Sequence, residues 1–164
     1  MSTKQNIPQR LEFGHDPDIR IAIIAARWNA HITDAMLNSA IDRFAELGYY
    51  DDQIDVYRVP GTIELVHAAA RCSTGAYDAV IVFGCVIKGD TPHFDYVCNS
   101  VTQGVTELNA WEDTPIIFGV LTVLNEQQAL DRINGTVGDK GAEAAEAALE
   151  MIATVDDIED NIGE

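Results

Sequence analysis

At 164 residues and 17.9 kDa the chain is expected to hold one α/β domain of ordinary size, whose core needs no disulfide or metal staple, and not a two-domain enzyme. Apolar residues at 47% and charged residues at 23% are globular composition, not that of a disordered chain. Ten Lys and Arg against 27 Asp and Glu give a net charge of −17, a field that repels phosphodiester backbones and anionic headgroups, so nucleic-acid and membrane-surface roles drop out.

Cys72, Cys85 and Cys98 are odd in number and form no C-x-x-C pair, so neither a disulfide framework nor a zinc ribbon is encoded and a reducing, cytoplasmic setting fits. Residues 1–17 mix Lys4, Gln5, Asn6 and Arg10 with two prolines and no apolar run. They read as an N-terminal extension without a secretory signal. The longest apolar runs, such as residues 21–26, fall far short of the ~20 residues of a membrane helix, so a soluble protein is expected.

From residue 19, short apolar runs alternate with longer amphipathic ones, the order that builds a parallel sheet covered by helices on both faces. Residues 19–26 are apolar throughout and form the first strand. Ile32, Ala35, Met36, Ser39, Ala40 and Phe44 then recur at helical spacing, with Asn29 as cap and Gly48 as stop. Residues 54–59 are the second strand, closed by Pro60-Gly61, and residues 62–70 the second helix, stopping near Gly75. Residues 78–87 are the third strand, leading into a long helix that ends about Trp111, with Thr91 at its cap and Pro92 in its first turn. Residues 115–123 are the fourth strand. A helix over 126–134, a break at Gly135, Gly138 and Gly141, and an Ala/Glu helix to about residue 154 complete a domain spanning 18–155. Residues 156–164 carry no Lys or Arg and read as a solvated acidic tail.

In open parallel sheets ligands bind beyond the carboxyl ends of the strands. Four tips are therefore the place to look for chemistry: Trp28-Asn29, residues 61–64, residues 88–93 and residues 118–122. The run Gly84-Cys85-Val86-Ile87-Lys88-Gly89-Asp90-Thr91 comes close to a P-loop, but Asp90 stands where the phosphate-binding lysine belongs and would repel a triphosphate. No G-x-G-x-x-G follows a strand, so a dinucleotide site has no support either. What remains is a helix start whose free N–H groups suit one phosphate monoester, or which is simply a plain capped helix. His93 lies in that first turn, where the helix dipole disfavours imidazolium, so it reads as a neutral proton shuttle or as a structural histidine.

Arg132 and Lys140 are two of the three cations after position 71, and in so acidic a chain they suggest an anionic substrate or, more simply, pairing with nearby carboxylates. Trp28 and Phe118 could hold a planar ring between them or pack the core. Glu64 could accept hydrogen bonds from substrate hydroxyls or simply favour its helix start. Cys85, in an apolar strand without an adjacent base, reads as an inert thiol.

Taken together, Ala26-Arg27-Trp28-Asn29, Val59-Pro60-Gly61-Thr62-Ile63-Glu64, residues 84–95 from Gly84 through Thr91-Pro92-His93-Phe94-Asp95, residues 115–122 and the stretch from Glu126 through Arg132 to Gly138-Asp139-Lys140-Gly141 resemble the lumazine synthase family. The resemblance covers about residues 19–154. It implies a three-layer αβα sandwich on a four-stranded parallel, flavodoxin-like sheet. The reaction implied condenses 5-amino-6-(D-ribitylamino)uracil with 3,4-dihydroxy-2-butanone 4-phosphate, giving 6,7-dimethyl-8-ribityllumazine, phosphate and water in riboflavin biosynthesis, with no cofactor or metal. Carried over by position, Trp28, with Asn29 beside it, would stack on the pyrimidine, and Thr62, Ile63 and Glu64 would hold the ribityl chain. Val86 and Ile87 would line the ring pocket, Asp90, Thr91 and Arg132 would bind phosphate, and Phe118 would enter from a neighbouring subunit. His93 and Lys140 would assist proton transfers. Because such help is typically worth about 10²–10⁴-fold and orientation supplies more, loss of His93 is expected to slow the enzyme without abolishing it.

Three positions depart from the usual family pattern. Trp28 replaces a commoner Phe, and since some members with Trp there bind riboflavin, riboflavin is left open as a further ligand. Ile63 lies where an aromatic is frequent, and Asp139 where Asn is usual, its charge set to weaken the pull of Lys140 on phosphate. Family members form pentamers with active sites between subunits, some closing twelve pentamers into an icosahedral shell, and the segment from Arg132 to Lys140 carries no insertion of the kind that stops assembly at the pentamer. Two alternatives differ in class. A non-catalytic flavin-binding or storage protein on the same fold is permitted by Trp28 but not favoured by His93, Arg132 and Lys140. An electron carrier would need an anion loop after the first strand, and Arg27-Trp28-Asn29-Ala30 is none.

Overall fold

A computed structural model describes residues 16–163; the N-terminal extension up to residue 15, with His15, lies outside the described residues. The chain alternates strand and helix: β1 (Ile21–Ala26), α1 (Ala30–Glu46), β2 (Ile54–Val59), α2 (Glu64–Cys72), β3 (Ala79–Ile87), α3 (His93–Trp111), β4 (Ile116–Val123), α4 (Glu126–Leu130) and α5 (Lys140–Ile162). The four strands form one parallel sheet in the order β2-β1-β3-β4. This is the expected αβα sandwich with a flavodoxin-like sheet.

Each face of the sheet needs its own cover because side chains alternate along a strand. Ile21, Ile23 and Ala25 of β1, with Ile81 and Phe83 of β3, face α1 and α5, where they meet Met36, Phe44, Ala145 and Leu149. Ala22, Ile24, Val80 and Val82 face the other way, against Leu65 and Ala69 of α2 and Val101 and Val105 of α3. All six residues of β1 are fully buried, which accounts for the unbroken apolar run.

Element ends differ from expectation at several points. At α3, Pro92 itself takes the cap position with helical angles (φ −60, ψ −8) and no side-chain cap bond forms, so Thr91 is not the cap. Asn29 precedes α1 as expected but makes no side-chain cap bond. Helix α4 stops at Leu130, short of residue 134, and α2 runs from Glu64 to Cys72 instead of 62–70. The largest difference is at the C-terminus, where α5 continues through the acidic segment to Ile162. Met151, Ile158 and Ile162 continue an apolar spacing there that charge counting alone had passed over.

At the β2 edge Tyr77 donates to Asp55 (2.9 Å) and Arg20 Nη2 donates to the same Oδ2 (2.6 Å). These bonds, Tyr77 first and Arg20 second, hold the Asp55 carboxyl below its ordinary range. A group depressed on folding stabilises the protein above the ordinary carboxylate range, and that contribution disappears as pH falls through the folded value. Asp55→Asn is therefore expected to lower the melting temperature modestly at pH 7, with the gap to wild type narrowing as the pH falls below the ordinary carboxylate range. A gap that stays constant through that fall would contradict it.

Candidate functional site

Strand order fixes where the chain can build a site. From β1 the chain goes to β2 on one side, whereas β3 lies on β1's other side, so the carboxyl ends of β1 and β3 bound the crevice that opens where strand order reverses. That crevice, of about 500 Å³, is lined by Trp28 and Asn29 after β1, by Gly61, Thr62, Ile63 and Glu64 entering α2, by Val86 and Ile87 ending β3, and by Thr91 and His93 at the start of α3. Gly61 apart, these are nine of the candidate site residues picked out in the sequence.

Local chemistry explains each placement. The Trp28 ring is 71% exposed and stands at the crevice edge, with its backbone N–H donated to Pro60 O (3.1 Å). Thr62 is buried against β3 because position 84 is glycine: a Cβ there would come within 2.9 Å of both Thr62 Oγ1 and Leu65 Cδ1. Glu64 folds its carboxylate back beside Gly61, where a Cβ would approach Oε2 to 3.0 Å, leaving an acceptor at the mouth of the crevice. At α3 the first-turn N–H groups have no side-chain cap, the arrangement that accepts an oxyanion. The Cys85 thiol is buried and pushed up to about 11, first by desolvation and then by the charge of Glu126. It is no nucleophile at neutral pH.

Phe118, Arg132 and Lys140 lie elsewhere. They line a second crevice of about 440 Å³ along β4, with Thr122, Glu143 and Ala144 among its other walls. Phe118 is half-exposed on this edge strand. Arg132 donates from Nη1 to Gln128 O (2.7 Å) and makes no ion pair among the described residues, while Lys140 is paired with Glu143. Within one chain, His93 therefore shares no crevice with Lys140, nor Thr91 with Arg132, and Asp90 is exposed and lines neither crevice.

Asp139 has a role that charge reasoning missed. Its Oδ1 accepts from the backbone N–H of Gly141 (3.1 Å) and Ala142 (3.2 Å), and its Oδ2 accepts from Ser39 (2.6 Å), so it caps α5 and ties it to α1. An Asp immediately before a helical run is a cap signal, and weighing its charge alone obscured it. Phe94 and Val97, further walls of the first crevice, sit one and four residues after His93 on α3. Helical spacing from His93 could have found Val97.

The sequence profile of the 6,7-dimethyl-8-ribityllumazine synthase family matches residues 18–156, nearly the whole described chain. The chain belongs to the lumazine synthase family. A 6,7-dimethyl-8-ribityllumazine synthase of Parabacteroides distasonis is 46% identical over 156 residues, covering 93% of this chain and 98% of its own. That of Porphyromonas gingivalis is 50% identical over 135 residues, with 82% and 84% covered, and that of Bacteroides fragilis 46% identical over 135, with 82% and 94% covered. Lumazine synthases are transferases of riboflavin biosynthesis, and this chain is such an enzyme. No helix among the described residues is long and apolar enough to cross a membrane, and no group of three or more His, Cys, Asp or Glu among them is placed to hold a metal ion.

Proposed function

We propose that the chain condenses 5-amino-6-(D-ribitylamino)uracil with 3,4-dihydroxy-2-butanone 4-phosphate in a site completed by a neighbouring copy. The observation that carries this reading is the division of the site residues between two crevices: an aromatic platform, hydroxyl-binding groups and His93 in one, Phe118 and the cations Arg132 and Lys140 in the other. Neither alone offers both a planar-ring sandwich and a cationic phosphate seat. Joined across an interface, they do, and the free edge of β4 makes its face available to another copy.

In this site Trp28 stacks on the pyrimidine, Thr62, Ile63 and Glu64 hold the ribityl chain, and Val86 and Ile87 wall the ring. Arg132 of the adjoining copy meets the phosphate beside the α3 start, with Asp90 and Thr91 close by. The pyrimidine's 5-amino group attacks the ketone carbonyl and water leaves, giving an imine. Loss of inorganic phosphate follows, and the ribityl-bearing nitrogen then closes the second ring with loss of another water. His93 and Lys140 move protons between these steps, while fixing two substrates face to face supplies most of the acceleration. The acidic charge and free cysteines fit a cytoplasmic enzyme.

Mixing the two substrates with the purified protein is expected to generate the lumazine chromophore; riboflavin binding without that chromophore would instead support the storage protein. Assembly is expected to proceed through pentamers to an icosahedral shell, because no insertion interrupts the link from Arg132 to Lys140. Sedimentation velocity tests this: a boundary at the mass of a single pentamer would remove the shell, and a monomer would remove the shared site.

A further inference from the structure

Asn29 is the one non-glycine residue at positive φ among the described residues (φ 58, ψ 45). A left-handed conformation is unfavourable for an ordinary residue, and among residues with a side chain Asn tolerates it well because its amide bonds locally. Yet this amide does not cap α1. Its Nδ2 instead donates to Cys85 O (2.9 Å), across the gap between the ends of β1 and β3.

That bond stands where the sheet has stopped supplying any. Pairing of β1 with β3 ends at Ala25 and Phe83, whereas on the other side β1 remains tied to β2 beyond its own end, through Arg27 N to Val59 O (2.8 Å) and Trp28 N to Pro60 O (3.1 Å). The strands part on one side only, and the crevice opens there. Trp28 precedes Asn29, and Val86 and Ile87 follow Cys85, so the single side-chain bond spans the two opposed walls. Its base is fixed, since Asn29 O accepts from Ile32 N (2.9 Å) and Thr33 N (3.1 Å), and Thr33 Oγ1 donates to Ala26 O (2.7 Å).

We propose that Asn29 is a positioning residue: its amide sets the distance between the Trp28 platform and the Val86–Ile87 wall, and thereby selects for a flat heterocycle without touching it. This rests on the reading of Trp28, Val86 and Ile87 as the pyrimidine pocket, and it assigns Asn29 to the protein's own framework instead of to the substrate.

The test uses the full-length protein carrying Trp111→Phe, which leaves Trp28 as the sole indole, since the sequence has two tryptophans. Asn29→Gly keeps the left-handed turn and removes the amide; Asn29→Asp keeps the size and sets a carboxylate against the Cys85 carbonyl. Both are expected to change the iodide quenching of Trp28 in the free protein. Both should also raise KM for the pyrimidine amine about tenfold, the value of one hydrogen bond, and leave KM for the butanone phosphate within about twofold. Wild-type quenching and KM in Asn29→Gly would overturn the proposal, because the turn alone would then suffice. A raised pyrimidine KM with unchanged quenching would also overturn it, by making the amide a direct substrate contact. Equal rises in both KM values would reduce Asn29 to general support. If the Trp111→Phe parent forms no lumazine, the reaction assignment fails separately, and the quenching comparison in free protein still decides whether the amide sets the platform.

Discussion

Replacing Arg132 with alanine is expected to raise KM for the butanone phosphate by roughly ten- to hundredfold, the range that loss of a charge-assisted hydrogen bond of about 1.5–3 kcal/mol gives. The pyrimidine KM should move little. Arg132 is suited to this role because it has no carboxylate partner among the described residues: Nη1 is held by Gln128 O, which aims the guanidinium into the β4 crevice without neutralising it. Lys140 differs, since Glu143 already pairs with it, so Lys140→Ala should weaken phosphate less. Steady-state kinetics with each substrate varied in turn would check both statements. An unchanged butanone phosphate KM in Arg132→Ala would remove the phosphate role.

The same variant tests where its phosphate lies. Arg132→Ala damages only the β4 crevice and Trp28→Ala only the crevice between β1 and β3. If each site joins one crevice from each of two copies, assemblies formed from equal parts of the two variants contain intact sites at about one interface in four, from which activity returns. If a chain used its own Arg132, the mixture would stay as inactive as its components.

Much of this was legible in the sequence because burial leaves a strong pattern. The run Ile21–Ala26 is apolar on both faces, as a central parallel strand must be, whereas β2 lies at the expected residues 54–59 with only Ile54 buried, marked by the Pro60-Gly61 turn that closes it. The crevice between β1 and β3 was legible for a related reason: a parallel sheet puts strand ends on one side, so Trp28, Thr62, Val86 and His93 could be grouped before any distance was known. What the sequence could not divide was that group from Phe118, Arg132 and Lys140. Strand ends share a side of the sheet regardless of strand order, and only the placement of β4 at the edge, with α4 and α5 beside it, separates the second crevice. Asn29 stands at the expected cap position of α1, but composition does not say which carbonyl its amide will reach, and Cys85 is 56 residues away in the chain.

Glycines give a sharper instance, and the largest expected effect on stability. Gly135, Gly138 and Gly141 look alike in the sequence as one break before the last helix. Gly135 (φ 84) and Gly138 (φ 99) do make left-handed turns, but Gly141 is not at positive φ and lies inside α5, buried against α1. A Cβ at 141 would sit 2.2 Å from Met36 O and 2.8 Å from Ser39 Cβ. In an exposed helix interior, Gly→Ala gains roughly 1 kcal/mol of propensity. Here the obstacle is main chain, which cannot rotate away, so the overpacking penalty of typically 1–3 kcal/mol or more outweighs that gain. Gly141→Ala is thus expected to lower the melting temperature by several degrees, at about 2–4 °C per kcal/mol for a chain of this size, and Gly141→Val by more. Moving α5 off α1 also pulls on the Asp139 cap and its bond to Ser39, and carries Lys140 with it, so activity should fall together with stability. Gly104 provides the comparison: the three atoms nearest a Cβ there all belong to the Val66 side chain, at 2.6 Å to Cγ1 and 2.8 Å to Cγ2, and a side chain gives more readily than main chain. Thermal melts should therefore rank Gly141→Ala well below Gly104→Ala; the reverse order would mean that α1 and α5 can separate at little cost, and that the close approach at Met36 does not fix where Lys140 is presented.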